Sequence, residues 1–285
     1  MSDNVHPEWI IDTTDESFEQ DAVIASKERL ILVDFWASWC QPCRLLTPNL
    51  EEAVGRFKGD VRLVKVNTEV APETAQTFQV ASIPTVYALL DGQPVDYFQG
   101  VIEADEIEGW IVQLLRHRAM LDADQLTDTD PGSAVQAWEV LVQDDEENPT
   151  LLIGLARAQT LSGNNEAATE IINKLEQRGF LEPEGEKVKA MITLAAVSDD
   201  SAVDTARQRH LENPTCNETT LKFAEALAAD NQYEQAFELA IQVYKTDKLG
   251  VGKSAHQFLL TAFKALPEDN DLVHQYRRKL AMLMY

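Results

Sequence analysis

The sequence predicts an α/β domain with a mixed β-sheet flanked by helices, followed by an all-α domain of helical repeats. Up to about residue 118, short apolar runs suited to buried strands alternate with segments of helical spacing. Beyond that point every segment has helical spacing, and the tetrapeptide "ENPT" occurs twice. We therefore predict two domains, residues 1–118 and 119–285, a number that the chain length of 285 residues also favours.

The first domain alternates strands and helices and then ends in a hairpin and a helix. "WIID" predicts a short strand, "DESFEQDAVIAS" a helix with Asp15 or Ser17 as its N-cap, and "RLILVDFW" a strand buried on both faces. The helix "RLLTPNLEEAVGRF", the strand "VRLVKVN" and the short helix "APETAQTFQV" follow. "IPTVYALL", "DGQ" and "PVDYFQG" predict a hairpin, and "EADEIEGWIVQLLRHR" an amphipathic helix. Crossovers give parallel neighbours and the hairpin gives antiparallel ones, so the sheet should be mixed.

The second domain is predicted to consist of helix pairs, joined to the first domain by the polar stretch "DADQLTDTDPGS". Each "ENPT", at 147–150 and 212–215, is predicted to introduce one pair, whose turn is "SGNNEAA" or "DNQYEQA". Small residues at matching positions let paired helices approach closely: these are Ala156, Ala168, Ala224 and Ala236. The remaining predicted helices are "SAVQAWEVLVQ", "GEKVKAMITLAAVS", "SAVDTARQRHL", "SAHQFLLTAFKAL" and "LVHQYRRKLAMLMY". For the helix pairs that match the repeat pattern less well, an ordinary helical bundle is the alternative to a repeat.

Composition excludes several function classes. The formal net charge is −24, spread over both halves, so nucleic acid is not expected as a partner. No stretch approaches the run of about 20 apolar residues that a membrane span needs. The opening "MSDNVHPEW" is acidic where a signal peptide would be basic and then apolar. We therefore expect a cytoplasmic protein, where three cysteines indicate redox chemistry or metal binding rather than a secreted disulfide scaffold.

The chemistry-bearing motif is the pair Cys40 and Cys43 at the start of a predicted helix. A helix N-terminus favours the thiolate, so Cys40 is predicted to be the nucleophile, and Cys43, one turn further on, can resolve the mixed disulfide. Pro42, early in the helix, costs no hydrogen bond and fixes the backbone between the sulfurs. Zinc is the weaker alternative, because it needs four ligands and the chain has one such pair. We interpret Cys216 as a bystander and predict no metal and no cofactor.

Two charged residues lie in apolar strand sequences. Asp34 is predicted to be buried, which would raise its pKa and let it relay a proton for Cys43. The alternative is a carboxylate at the end of a strand that reaches solvent. Lys65, judged alone, is more typical of a surface lysine. Trp36 and Trp39 are interpreted as packing and site-rim residues.

Several dispersed motifs resemble thioredoxin over residues 9–118. "LVDFWASWCQPC", Lys65 in "LVKVN", "SIPT" and the "DG" hairpin occur in the order and at the spacing of that family. The resemblance implies that Lys65 partners Asp34 and that Pro84 follows a cis peptide bond and offers backbone to an extended substrate. The chain departs from thioredoxin at Gln41, where the family has glycine, and at Arg44, where lysine is common. The substrate-binding residues that the resemblance implies are Trp39, Gln41, Pro42, Ile83 and Pro84.

Nearly the whole chain resembles the bacterial chaperedoxin family, in which a thioredoxin domain is fused to degenerate tetratricopeptide repeats. The likeness extends to the ending "YRRKLAMLMY". It implies a cytosolic holdase that binds unfolding client proteins, protects their cysteines during oxidative stress, and passes them to the chaperonin and the DnaK-type chaperone. Some members keep one cysteine at the site, whereas this chain keeps both and is expected to be a working dithiol.

Two further functions stay open from the sequence. One is a general protein-disulfide reductase, with thioredoxin reductase as a candidate reductant, whose repeats find a single partner. The other is a structural adaptor whose cysteines are incidental. The combination of Asp34, Lys65 and Pro84 disfavours the adaptor.

Overall fold

The computed structural model describes residues 7–196, 202–267 and 269–284, which form two compact units. Unit 1 covers Met1–Ala119 and unit 2 covers Met120–Tyr285. Unit 1 contains a five-stranded sheet with helices, and the described part of unit 2 is helical throughout. The predicted fold class, an α/β domain followed by a helical repeat domain, is confirmed.

Unit 1 is built on a mixed sheet with the strand order β1-β3-β2-β4-β5. Pairs β1–β3 and β2–β3 are parallel, and pairs β2–β4 and β4–β5 are antiparallel. The strands are β1 (Ile10–Thr13), β2 (Leu30–Trp36), β3 (Val61–Asn67), β4 (Thr85–Leu90) and β5 (Gln93–Gln99). The helices are α1 (Gln41–Gly55), α2 (Pro72–Thr77) and α3 (Ala104–Thr129), and two short helical segments, Glu19–Ile24 and Ala25–Lys27, precede β2.

Strand β2 lies at the centre of the sheet and is buried on both faces, as its apolar run predicts. Leu30 and Leu32 pack in one apolar cluster with residues of α1 and α3. Ile31, Val33 and Phe35 pack on the opposite face, against the segment that precedes β2 and residues near α2. Because side chains alternate along a strand, the next residue on the α1 face is a carboxylate, which places it in the functional site described below.

In unit 1 the predicted N-cap of the first helix is wrong, and the predicted hairpin is confirmed. Neither Asp15 nor Ser17 caps the helical segment that precedes β2. The Asp15 carboxylate instead accepts hydrogen bonds from the backbone N–H groups of Glu73 (3.2 Å) and Thr74 (2.8 Å) at the start of α2. Helix α2 has no cap from its own N-cap residue, so a distant carboxylate satisfies its free N–H groups. The hairpin is confirmed: Asp91 and Gly92, both at positive φ, join β4 to β5.

The predicted linker is wrong, because the polar stretch "DADQLTDTDPGS" is helical up to Thr129 as part of α3. Ala123 is buried and Met120 and Leu126 pack in an apolar cluster within unit 2. Three apolar residues at helical spacing are enough to form a buried stripe, although the surrounding sequence is polar. The structure therefore divides the chain inside a helix rather than at a flexible segment.

The described part of unit 2 contains the predicted helices in the predicted order; residues 197 and 198 of "GEKVKAMITLAAVS", residue 201 of "SAVDTARQRHL" and residue 285 of "LVHQYRRKLAMLMY" lie outside the described residues. The helices are α4 (Pro131–Gln143), α5 (Pro149–Leu161), α6 (Asn165–Glu176), α7 (Pro183–Ala195), α8 (Ala202–Glu212), α9 (Asn217–Ala229), α10 (Tyr233–Thr246), α11 (Val251–Ala265) and α12 (Asp271–Met284). Among the residues described in the two units, no helix is both long enough and apolar enough to cross a membrane.

The pairs α5–α6 and α9–α10 repeat the same local geometry. The four matched alanines, Ala156, Ala168, Ala224 and Ala236, are fully buried. Each turn has one residue at positive φ, Gly163 in the first and Asn231 in the second. The two "ENPT" sequences are not equivalent: Asn148 of the first caps α5, whereas the second ends before the N-cap of α9, which is Cys216. The helices repeat, but the tetrapeptide is offset from that repeat.

Candidate active site

The loop between β2 and α1 carries the two cysteines. Cys40 is the N-cap residue of α1 and has an extended backbone, and its Sγ accepts a hydrogen bond from the N–H of Cys43 at 3.2 Å. Pro42 lies in the first helical turn, where its missing N–H costs nothing. Cys40 and Cys43 form a disulfide with their Cα atoms 5.4 Å apart. The pair therefore lies at a helix N-terminus, as predicted.

A small apolar cluster surrounds the disulfide. Both cysteines and Ala37 are buried, and the half-buried side chains of Trp36 and Ile83 pack against them. The Ile83–Pro84 peptide bond is cis, as the resemblance implies, and Pro84 is buried at the start of β4. The Pro84 carbonyl accepts a hydrogen bond from Gly100 N–H at 3.0 Å. Ile83 is thus the residue of this dipeptide whose side chain reaches the cysteines.

The rim of the site is exposed and is fixed by polar contacts. Trp39 is 66% exposed, and Gln41 and Pro42 are exposed beside it. The Ser38 carbonyl accepts a hydrogen bond from the Arg44 guanidinium at 3.1 Å. The Ser38 hydroxyl donates to Glu69 at 2.9 Å, which ties this loop to the segment after β3. Sequence reasoning missed Ser38 and Glu69, because their contact joins distant parts of the chain.

Asp34 lies on β2 and points to the α1 face of the sheet. It is 1% exposed, and among the described residues neither carboxylate oxygen has a hydrogen-bond partner. Burial raises the pKa of Asp34 to about 7; the positive charge of Lys65 opposes this rise and the negative charge of Glu51 adds to it. A carboxyl group with a pKa near neutrality can both take and give a proton at physiological pH.

Lys65 is the register neighbour of Asp34 across β2 and β3. Its ammonium donates a hydrogen bond to Glu51 of α1 at 3.0 Å and lies over the Trp36 ring at 5.8 Å from the centroid. Lys65 is thus a neighbour of Asp34 and acts on it through its charge, as the resemblance implies, but its hydrogen-bonded partner is Glu51. The sequence contained a signal for this residue: Glu51 follows Cys43 by about two helical turns, so both lie on the side of α1 that faces the sheet.

The third cysteine is a free thiol in unit 2. Cys216 is half-buried at the N-cap of α9 and donates a hydrogen bond to the Glu218 carboxylate at 3.2 Å. Over the residues that the structure describes, no three His, Cys, Asp or Glu side chains converge in a way that could hold a metal ion.

Two cysteines that open a helix beside a cis-proline and a buried carboxyl define a protein of dithiol–disulfide exchange. The comparisons agree with this class. A family model for thioredoxin matches residues 9–113, and a tetratricopeptide repeat model matches residues 195–285. The thioredoxin of Mycobacterium tuberculosis is 44% identical over 90 residues, which cover 32% of this chain and 76% of that protein. The thioredoxin of Synechocystis is 40% identical over 89 residues, or 31% and 81% of the two chains.

The chain belongs to the thioredoxin family, and tetratricopeptide repeats follow its thioredoxin region. An uncharacterized protein of Mycobacterium bovis is 33% identical over 144 residues, which cover 49% of this chain and 47% of that protein. This similarity is longer than the thioredoxin match.

Proposed function

We propose that this protein is a redox-active co-chaperone. Unit 2 holds unfolding proteins, Cys40 and Cys43 protect or reduce their cysteines, and the clients then pass to the chaperonin and a DnaK-type chaperone. The observation that carries the proposal is the presence, in one chain, of a dithiol site and a repeat unit with large apolar side chains in solvent. These exposed side chains of unit 2 include Val140, Phe180, Leu211, Leu249, Met282 and Met284. Such side chains can bind the apolar segments that an unfolding protein exposes.

The exchange reaction starts from the reduced pair. The Cys40 thiolate attacks one sulfur of a client disulfide; a Cys40–client S–S bond forms, and the other client sulfur leaves as a thiolate and takes a proton. Cys43 then loses its proton and attacks Cys40 Sγ, which forms the Cys40–Cys43 disulfide and releases the second client thiolate. The client gains two electrons and the dithiol loses two. An external two-electron donor, for which thioredoxin reductase is the candidate, restores the dithiol.

Asp34 is the proposed proton acceptor for Cys43, and the positive charge of Lys65 lowers the pKa of Asp34. The carboxyl group of Asp34 is buried and has a pKa of about 7, so its protonated and ionised forms are both populated at neutral pH. In its ionised form it can take the Cys43 proton as that thiol becomes a nucleophile. Trp39, Gln41, Pro42, Ile83 and Pro84 are the proposed contacts of the client segment, because they border the cysteines.

We further propose that the protein works in the cytoplasm without nucleic acid or membrane as a partner. The net charge of −24 supports the first exclusion, because a polyanion would be repelled. Each unit is proposed to be a domain with its own core.

The test separates holding from redox chemistry. A chemically denatured protein is diluted into buffer with the wild type or with a Cys40→Ala/Cys43→Ala variant, and its aggregation is followed by light scattering. We expect both to suppress aggregation equally, because unit 2 does the holding, and only the wild type to reduce disulfides. If neither suppresses aggregation while the wild type reduces insulin rapidly with thioredoxin reductase, the co-chaperone function is wrong.

A general protein-disulfide reductase is the second candidate function. It is favoured by the 44% identity to a thioredoxin, which is a similarity confined to the redox region. In that case the repeats would serve only to find one partner. Rapid insulin reduction without any effect on aggregation would select this function.

A further inference from the structure

The buried charges of the site are paired in an unexpected way. Asp34 and Lys65 are side by side in the register of β2 and β3, and a buried carboxylate ordinarily gains most from the nearest ammonium. The Lys65 ammonium nevertheless donates its hydrogen bond to Glu51 at 3.0 Å. Both oxygens of Asp34 are left without a partner among the described residues. Lys65 therefore donates its hydrogen bond to a residue of α1 and acts on its neighbour on the sheet through its charge.

The position of Glu51 lets it bind the Lys65 ammonium at the edge of the core. It lies on α1, the helix that Cys40 caps and that contains Cys43. Its side chain is 28% exposed, whereas that of Lys65 is 11% exposed, so Glu51 pulls the ammonium toward the edge of the core. The ionised form of a partly solvated carboxylate costs less desolvation free energy than the ionised form of the fully buried Asp34.

We propose that Glu51 is a positioning residue, which holds the Lys65 ammonium away from Asp34 and so leaves the Asp34 carboxyl free to exchange a proton with the resolving thiol. The proposal rests on the function proposed above for Asp34. It adds a residue of α1 that touches neither the client nor the reacting sulfurs. Glu51 acts on the chemistry through Lys65.

The charged groups that act on Asp34 come from two elements. Lys65 of β3 lowers its pKa and Glu51 of α1 raises it. On β4 the register partner of Asp34 is Val86, which is apolar, and in the disulfide form Cys40 and Cys43 carry no titratable thiol. Removal of the Glu51 charge should act twice in one direction: it removes a negative charge and it frees the ammonium to approach Asp34. Both effects favour the ionised carboxylate, so the pKa of Asp34 should fall.

The experiment is a titration of the Asp34 carboxyl carbon by NMR in the full-length, disulfide form of the protein. We expect the Asp34 midpoint to fall by about one pH unit or more in Glu51→Gln. The Glu51→Asp variant, which keeps the charge, should recover part of the shift. The matched control is Glu52→Gln, because Glu52 is the neighbouring residue but pairs with Arg56 on the surface. That control should leave the midpoint unchanged.

A second substitution keeps the proposal testable if Glu51→Gln does not fold. Lys65→Met should raise the Asp34 midpoint, because it removes the positive charge that lowers the pKa of this carboxyl. In the Lys65→Met background, Glu51→Gln should shift the midpoint much less than in the wild type. An unchanged midpoint in Glu51→Gln, or equal shifts in both backgrounds, would overturn the proposal. The titration does not depend on turnover. It can therefore refute the role of Glu51 while the co-chaperone function stands, and the aggregation assay can refute the co-chaperone function while the role of Glu51 stands.

Discussion

The two units differ in the kind of polar group that they bury: among the described residues, unit 1 buries the carboxyl of Asp34 and the ammonium of Lys65, whereas the buried polar side chains of unit 2 are threonines and a glutamine. In unit 2 the buried hydroxyls of Thr127, Thr160 and Thr220 each donate a hydrogen bond to the backbone carbonyl four residues earlier, at 2.7, 2.8 and 2.9 Å. In unit 1 the buried Asp34 has no hydrogen-bond partner among the described residues, and Lys65 of β3 donates its hydrogen bond to Glu51 of α1. The energetic cost of such a group is usually tolerated where chemistry needs it. The buried threonines of unit 1 are hydrogen-bonded as those of unit 2 are, so the contrast is confined to Asp34, where unit 1 gives up stability for reactivity.

Loss of the nucleophile should have the largest effect and should fall on unit 1 alone. Cys40→Ser is expected to slow insulin-disulfide reduction by on the order of a thousandfold or more, because a hydroxyl cannot form the mixed disulfide. Cys216→Ser is the matched control and should leave the rate unchanged. A substantial loss of rate in Cys216→Ser would mean that the thiol of unit 2 takes part in the exchange.

The cost of the buried carboxyl should appear in the pH dependence of stability. Asp34 has a pKa of about 7 in the folded protein, against an ordinary value of 3.8. Below about pH 4 both states are protonated and the carboxyl costs no more than an amide. Between about pH 4 and pH 7 the unfolded chain has lost this proton while the folded protein still holds it, so the free energy of unfolding falls progressively, by roughly 4 kcal/mol in all, and is level above pH 7. Asp34→Asn should therefore be more stable than the wild type at pH 8, but not at pH 4.

Urea unfolding at the two pH values measures this difference. The matched control is Asp12→Asn, at an exposed position of β1, which should change the free energy of unfolding little at either pH. Equal stability of wild type and Asp34→Asn at pH 8 would show that the carboxyl is not buried in a costly state. The same Asp34→Asn variant should also reduce disulfides more slowly at neutral pH, because it cannot accept the Cys43 proton.

The same glycine-to-alanine change should have opposite signs in the two units. At Gly154 of α5 an added Cβ would lie 2.6 Å from the Trp138 ring, so Gly154→Ala should destabilise unit 2 by about 1–3 kcal/mol. At Gly109 of α3 nothing lies within 4 Å, and Gly109→Ala should stabilise unit 1 by about 0.5–1 kcal/mol. Thermal unfolding of both variants checks the signs. A neutral Gly154→Ala would mean that the helices of the repeat separate easily.

The smallest expected effect compares the caps of the two repeats. The Asn148 side chain accepts a hydrogen bond from Thr150 N–H at 3.1 Å, so Asn148→Ala should cost about 1 kcal/mol. Cys216 makes no such cap with its side chain, so Cys216→Ala should cost close to nothing. Urea unfolding of the two variants measures the difference. Equal costs would show that the two helix starts are equivalent after all.

The sequence predicted what depends on local pattern and missed what depends on distant contacts. The buried strand β2, the two cysteines at a helix start and the small alanines of the repeats were all readable from spacing and residue type. The spacing from Cys43 places Glu51 on the sheet side of α1, but its pairing with Lys65 and the Asp15 cap of α2 depend on how separate elements pack and were not readable from local pattern. The helical continuation of α3 was hidden because three apolar residues are a weak signal within a polar stretch.

The measurement that tests the central claim most directly is the capture of clients by a Cys43→Ala variant, which can form but not resolve a mixed disulfide. A client protein with an accessible disulfide is incubated with the variant, once while the client is native and once while it unfolds on heating. The mixed disulfides between client and variant are then quantified on non-reducing gels. If unit 2 brings unfolding clients to Cys40, capture should rise sharply as the client unfolds, and masking the disulfide should abolish it. Equal capture of native and unfolding client would contradict the account and leave a thioredoxin-type reductase with an unrelated repeat unit.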